Sequence, residues 1–228
     1  MDGVKEILRT KVVATLGPAT ASREIITEIL RAGANVMRIN FAHGSPADHR
    51  QTVAWVRAAA DEMGKPVAIL GDLAGPKIRV GDLAEPVELV KDGEVVIAPE
   101  DEAEAGEIPC TYADLAEDVG PGDRILLDDG HLEMQVADVA PPRVTARVVR
   151  GGTLRPNKGL NLPGVQVSAP ALTEKDRADL ELAVELGVDY VGLSFVQRPE
   201  DLDALRELLP EGLLIVAKIE KDVAVERI

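Results

Sequence analysis

At three places in the chain an apolar run gives way to cations and carboxylates. Arg38, Asn40 and Ala42 lie two apart in and just past the run 35–41, so a regular strand would put them on one face. Asp72 follows the run 67–70, with Lys77 and Arg79 close behind. Lys218 and Glu220, again two apart, finish the run 213–219. In parallel α/β architectures ligands bind beyond the carboxyl ends of the strands, so these groups would converge on one mouth. A guanidinium grips phosphate oxygens in pairs, and Mg²⁺ is held by one or two carboxylates plus substrate oxygens. Such a set suits a phosphorylated carboxylic acid bound through a divalent metal. Spacing alone leaves plainer readings open: a buried polar pair for Arg38 and Asn40, a turn residue for Asp72, and a solvated ion pair for Lys218 and Glu220.

Other reactive side chains carry less. His43 and His49 lie six apart at a helix entrance, where capping or surface roles outweigh metal binding. His131 stands beside a hairpin turn, and Cys110 has no activating base nearby in sequence. The phosphate-cradling pattern GxxxxGK[ST] is absent, which excludes nucleotide binding of that kind.

The elements that must position these groups alternate in type. A run at 12–16 ends in Gly17-Pro18, and Ser22 then precedes a helical spacing of Ile25, Ile26, Ile29 and Leu30, stopped by Gly33. The run 35–41, a helix over 47–63 closed by Gly64, and the run 67–70 follow. This rhythm predicts parallel strands buried on both faces. From Gly81 to Pro163 the texture is different, with short Val-rich runs and turn signals at Asp92-Gly93, Asp129-Gly130, Pro141-Pro142 and Gly151-Gly152. Runs 125–127 and 132–139 flank Asp129-Gly130 as a hairpin would, and 144–149 extends it. A solvated acidic loop is predicted over 100–107, within a small all-β insertion. The first rhythm then returns, with a capping-box start at Thr173 and Asp176, a helix to about Leu186, a strand over 188–196, a helix over 199–209 and a strand over 213–219. The count is five parallel-type strands, split three and two by the insertion.

Composition narrows the function classes. Acidic residues number 40 against 25 basic ones, a formal net charge of −15. Nucleic acids and anionic membranes are both bound through Lys and Arg, so neither is an expected partner. A small anion needs only a local cluster of cations. A hydrophobic share of 46% excludes a disordered chain, and 2% aromatics leaves no stacking platform for single strands. The single cysteine excludes an internal disulfide framework and any multi-Cys metal site. No signal-peptide pattern and no bilayer-length apolar run is present, and the expectation is a soluble cytoplasmic protein.

Six segments then resemble, in order, the motifs of the pyruvate kinases: KVVATLGPAT at 11–20, MRINFAHG at 37–44, DLAGPKIR at 72–79, NKGLNLPG at 157–164, SFV at 194–196 and AKIE at 217–220. The likeness is collinear from about residue 10 to residue 228. It implies an α/β fold, a partial (β/α)₈ barrel with an inserted small β-barrel lid, divided as 1–80 (barrel, first part), 81–163 (lid) and 164–228 (barrel, second part). The implied reaction moves the phosphoryl group of phosphoenolpyruvate to ADP, giving pyruvate and ATP in glycolysis.

Carried over position by position, Arg38 matches the phosphoenolpyruvate-binding arginine and Lys218 the lysine that stabilises charge on the transferring phosphoryl group. Asn40, Phe41, Ala42, His43, Arg79 and Lys158 match nucleotide-binding positions. Glu220 matches one of two carboxylates that hold Mg²⁺, and Asn40 and Asp72 match ligands of a monovalent cation. Ala42 and Lys77 depart from the serine and glutamate of K⁺-dependent members, as Leu73 and Val80 do from common threonines, so the chain resembles the lysine-bearing subgroup that dispenses with K⁺. The resemblance also implies a homo-oligomer, a tetramer at full length. With one Mg²⁺ carboxylate and five strands, residues 1–228 are expected to be an N-terminal portion that does not turn over alone. Two other readings stand beside this one: another phosphoenolpyruvate-using barrel enzyme such as a lyase, and a non-catalytic fragment that binds ligand or self-associates.

Overall fold

The apolar runs at the chain's two ends become strands, although the expected burial on both faces is met only in part, since Val13 and Leu214 on the outermost strands stay exposed. In a computed structural model, which describes residues 10–227, the chain order begins β1 (Val13–Leu16), α1 (Arg23–Arg31), β2 (Val36–Asn40), α2 (Pro46–Met63) and β3 (Ala68–Asp72). Next come β4 (Val87–Leu89), β5 (Glu94–Pro99), β6 (Ile108–Cys110), α3 (Leu115–Asp118), β7 (Arg124–Leu127), β8 (Leu132–Ala140), β9 (Arg143–Arg150), β10 (Gly152–Leu154) and β11 (Leu160–Asn161). The last elements are α4 (Glu174–Glu185), β12 (Tyr190–Leu193), α5 (Pro199–Arg206), β13 (Leu214–Ala217) and α6 (Asp222–Val225). Among the described residues no helix is long and apolar enough to cross a membrane.

Contacts divide the chain into two compact units. The first holds the residues up to Gly75 together with Ala171–Lys218. Its five-stranded sheet has the order β1-β2-β3-β12-β13, and every neighbouring pair is parallel. Met37 and Ile39 of β2 and Ile69 of β3 point into a core shared with Ile26 and Leu30 of α1 and with Val53 and Val56 of α2. Arg38 and Asn40 alternate onto the opposite, half-buried face. Caps set the helix starts. The Ser22 hydroxyl accepts the Ile25 amide at 3.3 Å, and Ser45 and Asp48 exchange backbone-to-side-chain bonds at the head of α2. Thr173 and Asp176 do the same for α4. Asp176 is fully buried, and its second oxygen accepts the Gly75 amide at 3.1 Å.

The second unit runs from Pro76 to Pro170 and takes in the residues from Ile219 onward. Its main sheet has the order β11-β7-β8-β9-β5-β6, antiparallel except for β5 with β6, and β4 pairs with β10 in a two-stranded sheet. The hairpin predicted around Asp129-Gly130 is the β7–β8 pair, with Leu127 opposite Leu132. Ile97, Ile125, Leu127, Met134 and Val144 are fully buried in its core. The acidic segment 100–107 is a loop as predicted, although Arg143 draws Glu104 and Glu107 to itself. The one-turn helix α3 in this stretch has no counterpart in the sequence reading.

Three strand ends differ from expectation. The second strand stops at Asn40, whose side-chain oxygen accepts the Ala42 amide at 3.0 Å, so the chain turns and Ala42 leaves the Arg38–Asn40 face. β12 ends at Leu193 because Phe195 takes a left-handed φ of 56°, which no strand tolerates. β13 ends at Ala217, so Lys218 and Glu220 lie beyond it and share no strand face.

Candidate functional site

Register brings the first unit's polar groups together. Asn40 of β2 and Gly192 of β12 both stand opposite Asp72, at the carboxyl end of β3. Gly192 pairs with Val216, so Lys218 emerges two residues past the same level, just beyond the end of β13. Two strand spacings, about 10 Å, separate β13 from β3. The Lys218 side chain spans them and reaches Asp72 at 3.1 Å from Oδ1 and 3.3 Å from Oδ2. Gly192 keeps the crossing clear, since a Cβ there would lie 2.9 Å from Asp72 Oδ1.

Arg38 approaches the same carboxylate from the other side. Its Nε donates to Oδ2 at 2.7 Å, Nη2 contacts the same oxygen, and Nη1 donates to Thr15 Oγ1 at 3.1 Å. Asp72 is 1% exposed, and its Oδ1 has no hydrogen bond of good geometry, only the ammonium at 3.1 Å. One buried carboxylate thus holds two cations, and the trio carries a net charge of +1 from its residue types. Arg38 and Lys218 keep 31% and 25% of their side chains exposed, so the surplus charge faces solvent where an anion can meet it. Lys218 also donates to the buried Ser194 hydroxyl at 2.7 Å.

The neighbouring turn is packed rather than open. Phe41 is buried against the ring of His49, with centroids 4.6 Å apart, and its carbonyl accepts Lys175 Nζ at 2.7 Å. His49 is therefore a core residue, against the surface role predicted for it; burial lowers its pKa from the ordinary 6.5, opposed in part by Asp179. His43 is exposed.

The second unit joins another pair of predicted residues. Arg79 bridges Gly159 across two antiparallel stretches, and its Nη1 donates to the Asn157 carbonyl at 2.8 Å. That bridge makes Lys158 a neighbour of Arg79, and Lys158 Nζ pairs with Asp128 Oδ1 at 2.7 Å. The ammonium holds the Asp128 carboxyl below its usual range. Lys77 is exposed. Burial pushes the Cys110 thiol up to about 11, which leaves it protonated and unreactive at neutral pH. Glu220 is exposed and offers the hard oxygen that Mg²⁺ accepts. Among the described residues no group of three or more His, Cys, Asp or Glu could hold a metal ion, and Glu220 alone would leave most of the coordination to substrate and water oxygens.

Sequence reasoning had the segment at 194–196 but gave Ser194 no role, and it passed over Thr15 and Gly192. Only register, the placing of distant strands side by side, marks them out.

A parallel α/β sheet with phosphate-type cations gathered at its strand ends defines a class of anion-binding proteins. Within that class the chain belongs to the pyruvate kinase family, whose barrel domain it matches over residues 7–228. It is 43% identical over 222 residues to the pyruvate kinase of Corynebacterium glutamicum, covering 95% of this chain and 47% of that protein. It is 41% identical over 225 residues to the pyruvate kinase of Mycobacterium tuberculosis H37Rv (96% and 48%) and 44% identical over 228 residues to pyruvate kinase 2 of a Synechocystis species (96% and 38%). The chain spans about half the length of the curated relatives it matches, or less.

Proposed function

We propose that the protein containing these residues is a glycolytic phosphotransferase that moves the phosphoryl group of phosphoenolpyruvate to ADP. The observation that carries this reading is the Arg38–Asp72–Lys218 cluster, with its surplus positive charge at the strand ends of a chain in this family. In the reaction the bond from phosphorus to the enol oxygen breaks and a bond to a terminal ADP oxygen forms. The enolate left behind takes a proton on carbon and becomes pyruvate. Such transfers depend on positioning and charge stabilisation more than on covalent help.

Arg38 binds the substrate phosphate. Lys218 contacts phosphoenolpyruvate and stabilises the charge that spreads over the transferring group. Asn40, Phe41, Ala42, His43, Arg79 and Lys158 serve the nucleotide; for Phe41 only the backbone is in question, since its ring is buried. Glu220 is a ligand of Mg²⁺, which when bound would screen phosphoryl oxygens. Residues 1–80 and 164–228 make up part of a (β/α)₈ barrel, with 81–163 as an inserted β-barrel lid. The protein is a cytoplasmic homo-oligomer, tetrameric at full length, with no nucleic-acid or membrane partner.

Asn40 and Asp72 stand where a monovalent cation binds in relatives that need one, and the requirement for K⁺ is absent here. Support comes from Asp72, which already holds two tethered cations, and from Ala42, which has no hydroxyl to offer an ion. Lys77 supplies the replacement charge.

The test is pyruvate formation from phosphoenolpyruvate and ADP with Mg²⁺ by the complete gene product, in tetramethylammonium buffer with and without K⁺. Pyruvate and ATP in equal amounts support the transfer, and inorganic phosphate without ATP would overturn it. Strong activation by K⁺, or a Lys77→Glu variant that gains no K⁺ dependence, sinks the cation proposal. Residues 1–228 alone are expected to yield no pyruvate and to associate through the unpaired edges of β1 and β13, where Val13 and Leu214 are exposed. A monodisperse, active chain of that length would overturn the expectation.

A further inference from the structure

Ser194 sits where β12 gives out, 2% exposed, beneath the Lys218 ammonium. A hydroxyl has one proton to give and two lone pairs to receive with. The proton is committed, because Oγ donates to the Leu73 carbonyl at 2.6 Å. Oγ therefore faces Lys218 only as an acceptor, and Nζ donates to it at 2.7 Å. That contact is closer than either of the ammonium's approaches to Asp72, at 3.1 and 3.3 Å.

Ser194 has little freedom to move. A Cβ on Gly75 would lie 3.0 Å from Ser194 Cβ and 3.1 Å from its carbonyl oxygen, so the two segments meet with room for a hydrogen atom and nothing larger. Phe195, the next residue, holds a φ of 56°. A bulky side chain in that region is strained and persists only where the surroundings over-determine it. Strand end, carbonyl tether and strained neighbour together hold the hydroxyl at one point in space.

We propose that Ser194 is a positioning residue that aims the Lys218 ammonium at the transferring phosphoryl group. Asp72 supplies the counter-charge, but alone it would let Nζ settle over either of its oxygens or swing toward them. The hydroxyl adds a second, neutral anchor from a different strand, and two anchors fix a direction. This inference rests on the role proposed above for Lys218.

The experiment compares Ser194→Ala, Ser194→Thr and Ser194→Val with the parent, in the complete gene product. Losing one hydrogen bond to a charged group corresponds to a fall in kcat of about tenfold to a hundredfold. That fall is expected in Ala and Val, with KM for phosphoenolpyruvate within about twofold, while Thr retains most of the rate. In a Lys218→Met background the same Ser194→Ala change should cost nothing further, since its effect passes through the ammonium. An unchanged kcat in both Ala and Val, or the same loss in the Lys218→Met background, would overturn the proposal. Should the parent make no pyruvate, the functional reading falls while crystal structures of the parent and Ser194→Ala still decide this one. Nζ displaced by about 1 Å or more supports it, and Nζ unmoved overturns it.

Discussion

The two units of this chain treat an aspartate paired with lysine in opposite ways. In the parallel sheet Asp72 is buried at a strand end and shared by Arg38 and Lys218. In the antiparallel unit Asp128 sits in a hairpin turn, about a third exposed, and pairs with Lys158. The first arrangement costs desolvation and is retained only where all partners are present. The second is screened by water and adds little to stability. Each unit also has its own apolar core, with Ile26, Met37 and Ile69 fully buried in the first and Ile97, Ile125, Leu127 and Met134 in the second. The first unit thus adds a buried charge cluster to its packing, while the second leaves pairs such as Arg124 with Glu133 at its rim. That contrast gives the expected responses to mutation.

The largest effect falls on chemistry. Lys218→Ala in the complete gene product should lower kcat by at least ~10³, the loss expected for a charge contact to a transferring phosphoryl group. Steady-state assay reads it, and a near-normal kcat would remove Lys218 from the role. The opposite behaviour belongs to Ile125→Ala in an apolar core. That change should destabilise the second unit by about 3 kcal/mol, seen as faster hydrogen exchange across β7 and β8, with exchange in β2 and β3 unaltered.

Third in size is the comparison between the aspartates themselves. Asp72→Asn strips the counter-charge from two cations at once and should destabilise the parallel sheet by about 2 kcal/mol, less than a fully buried pair because both partners reach solvent. Asp128→Asn should leave exchange rates in its hairpin almost unchanged. Equal losses at the two sites would erase the distinction between them.

The smallest effect is a pH dependence. Burial lowers the folded pKa of His49 below the ordinary 6.5, so the unfolded chain binds the proton more readily. Its contribution is present above about pH 6.5 and is lost as pH falls through the folded value. The melting temperature should therefore drop between pH 7 and 5.5, and His49→Gln should flatten that slope. A slope unchanged in the variant would assign it to carboxylates instead.

What sequence made legible was mostly local. The caps at Ser22 and Thr173 act within three residues, and both helices begin where those residues say. The Asp129-Gly130 hairpin is equally short-range. The partner of Arg38 was not legible from spacing, because Asp72 is 34 residues away and comes alongside only through the register of β2 with β3. His49 was misread for a related reason. Its burial depends on Phe41, eight positions back across a turn, and neither a helical nor a strand period links the two. The left-handed φ at Phe195, which ends β12 early, belongs to a residue type that rarely adopts it, so nothing in composition announces it.

The buried Asp176 carboxylate has a consequence for how the chain comes together in time. It ties the Gly75 amide to the start of α4 across a sequence separation of 101 residues. A disordered loop of that length costs about 4 kcal/mol in closure entropy, and β12 and β13 cannot join β1, β2 and β3 until it closes. Within the second unit, however, Arg79 and Gly159 are already bridged, and the Val80 amide donates to the Lys158 carbonyl at 2.8 Å. Once that unit folds, its two chain ends emerge side by side and the long loop becomes a short one. The antiparallel unit is thus expected to fold first and to act as the nucleus on which β3 and β12 find each other.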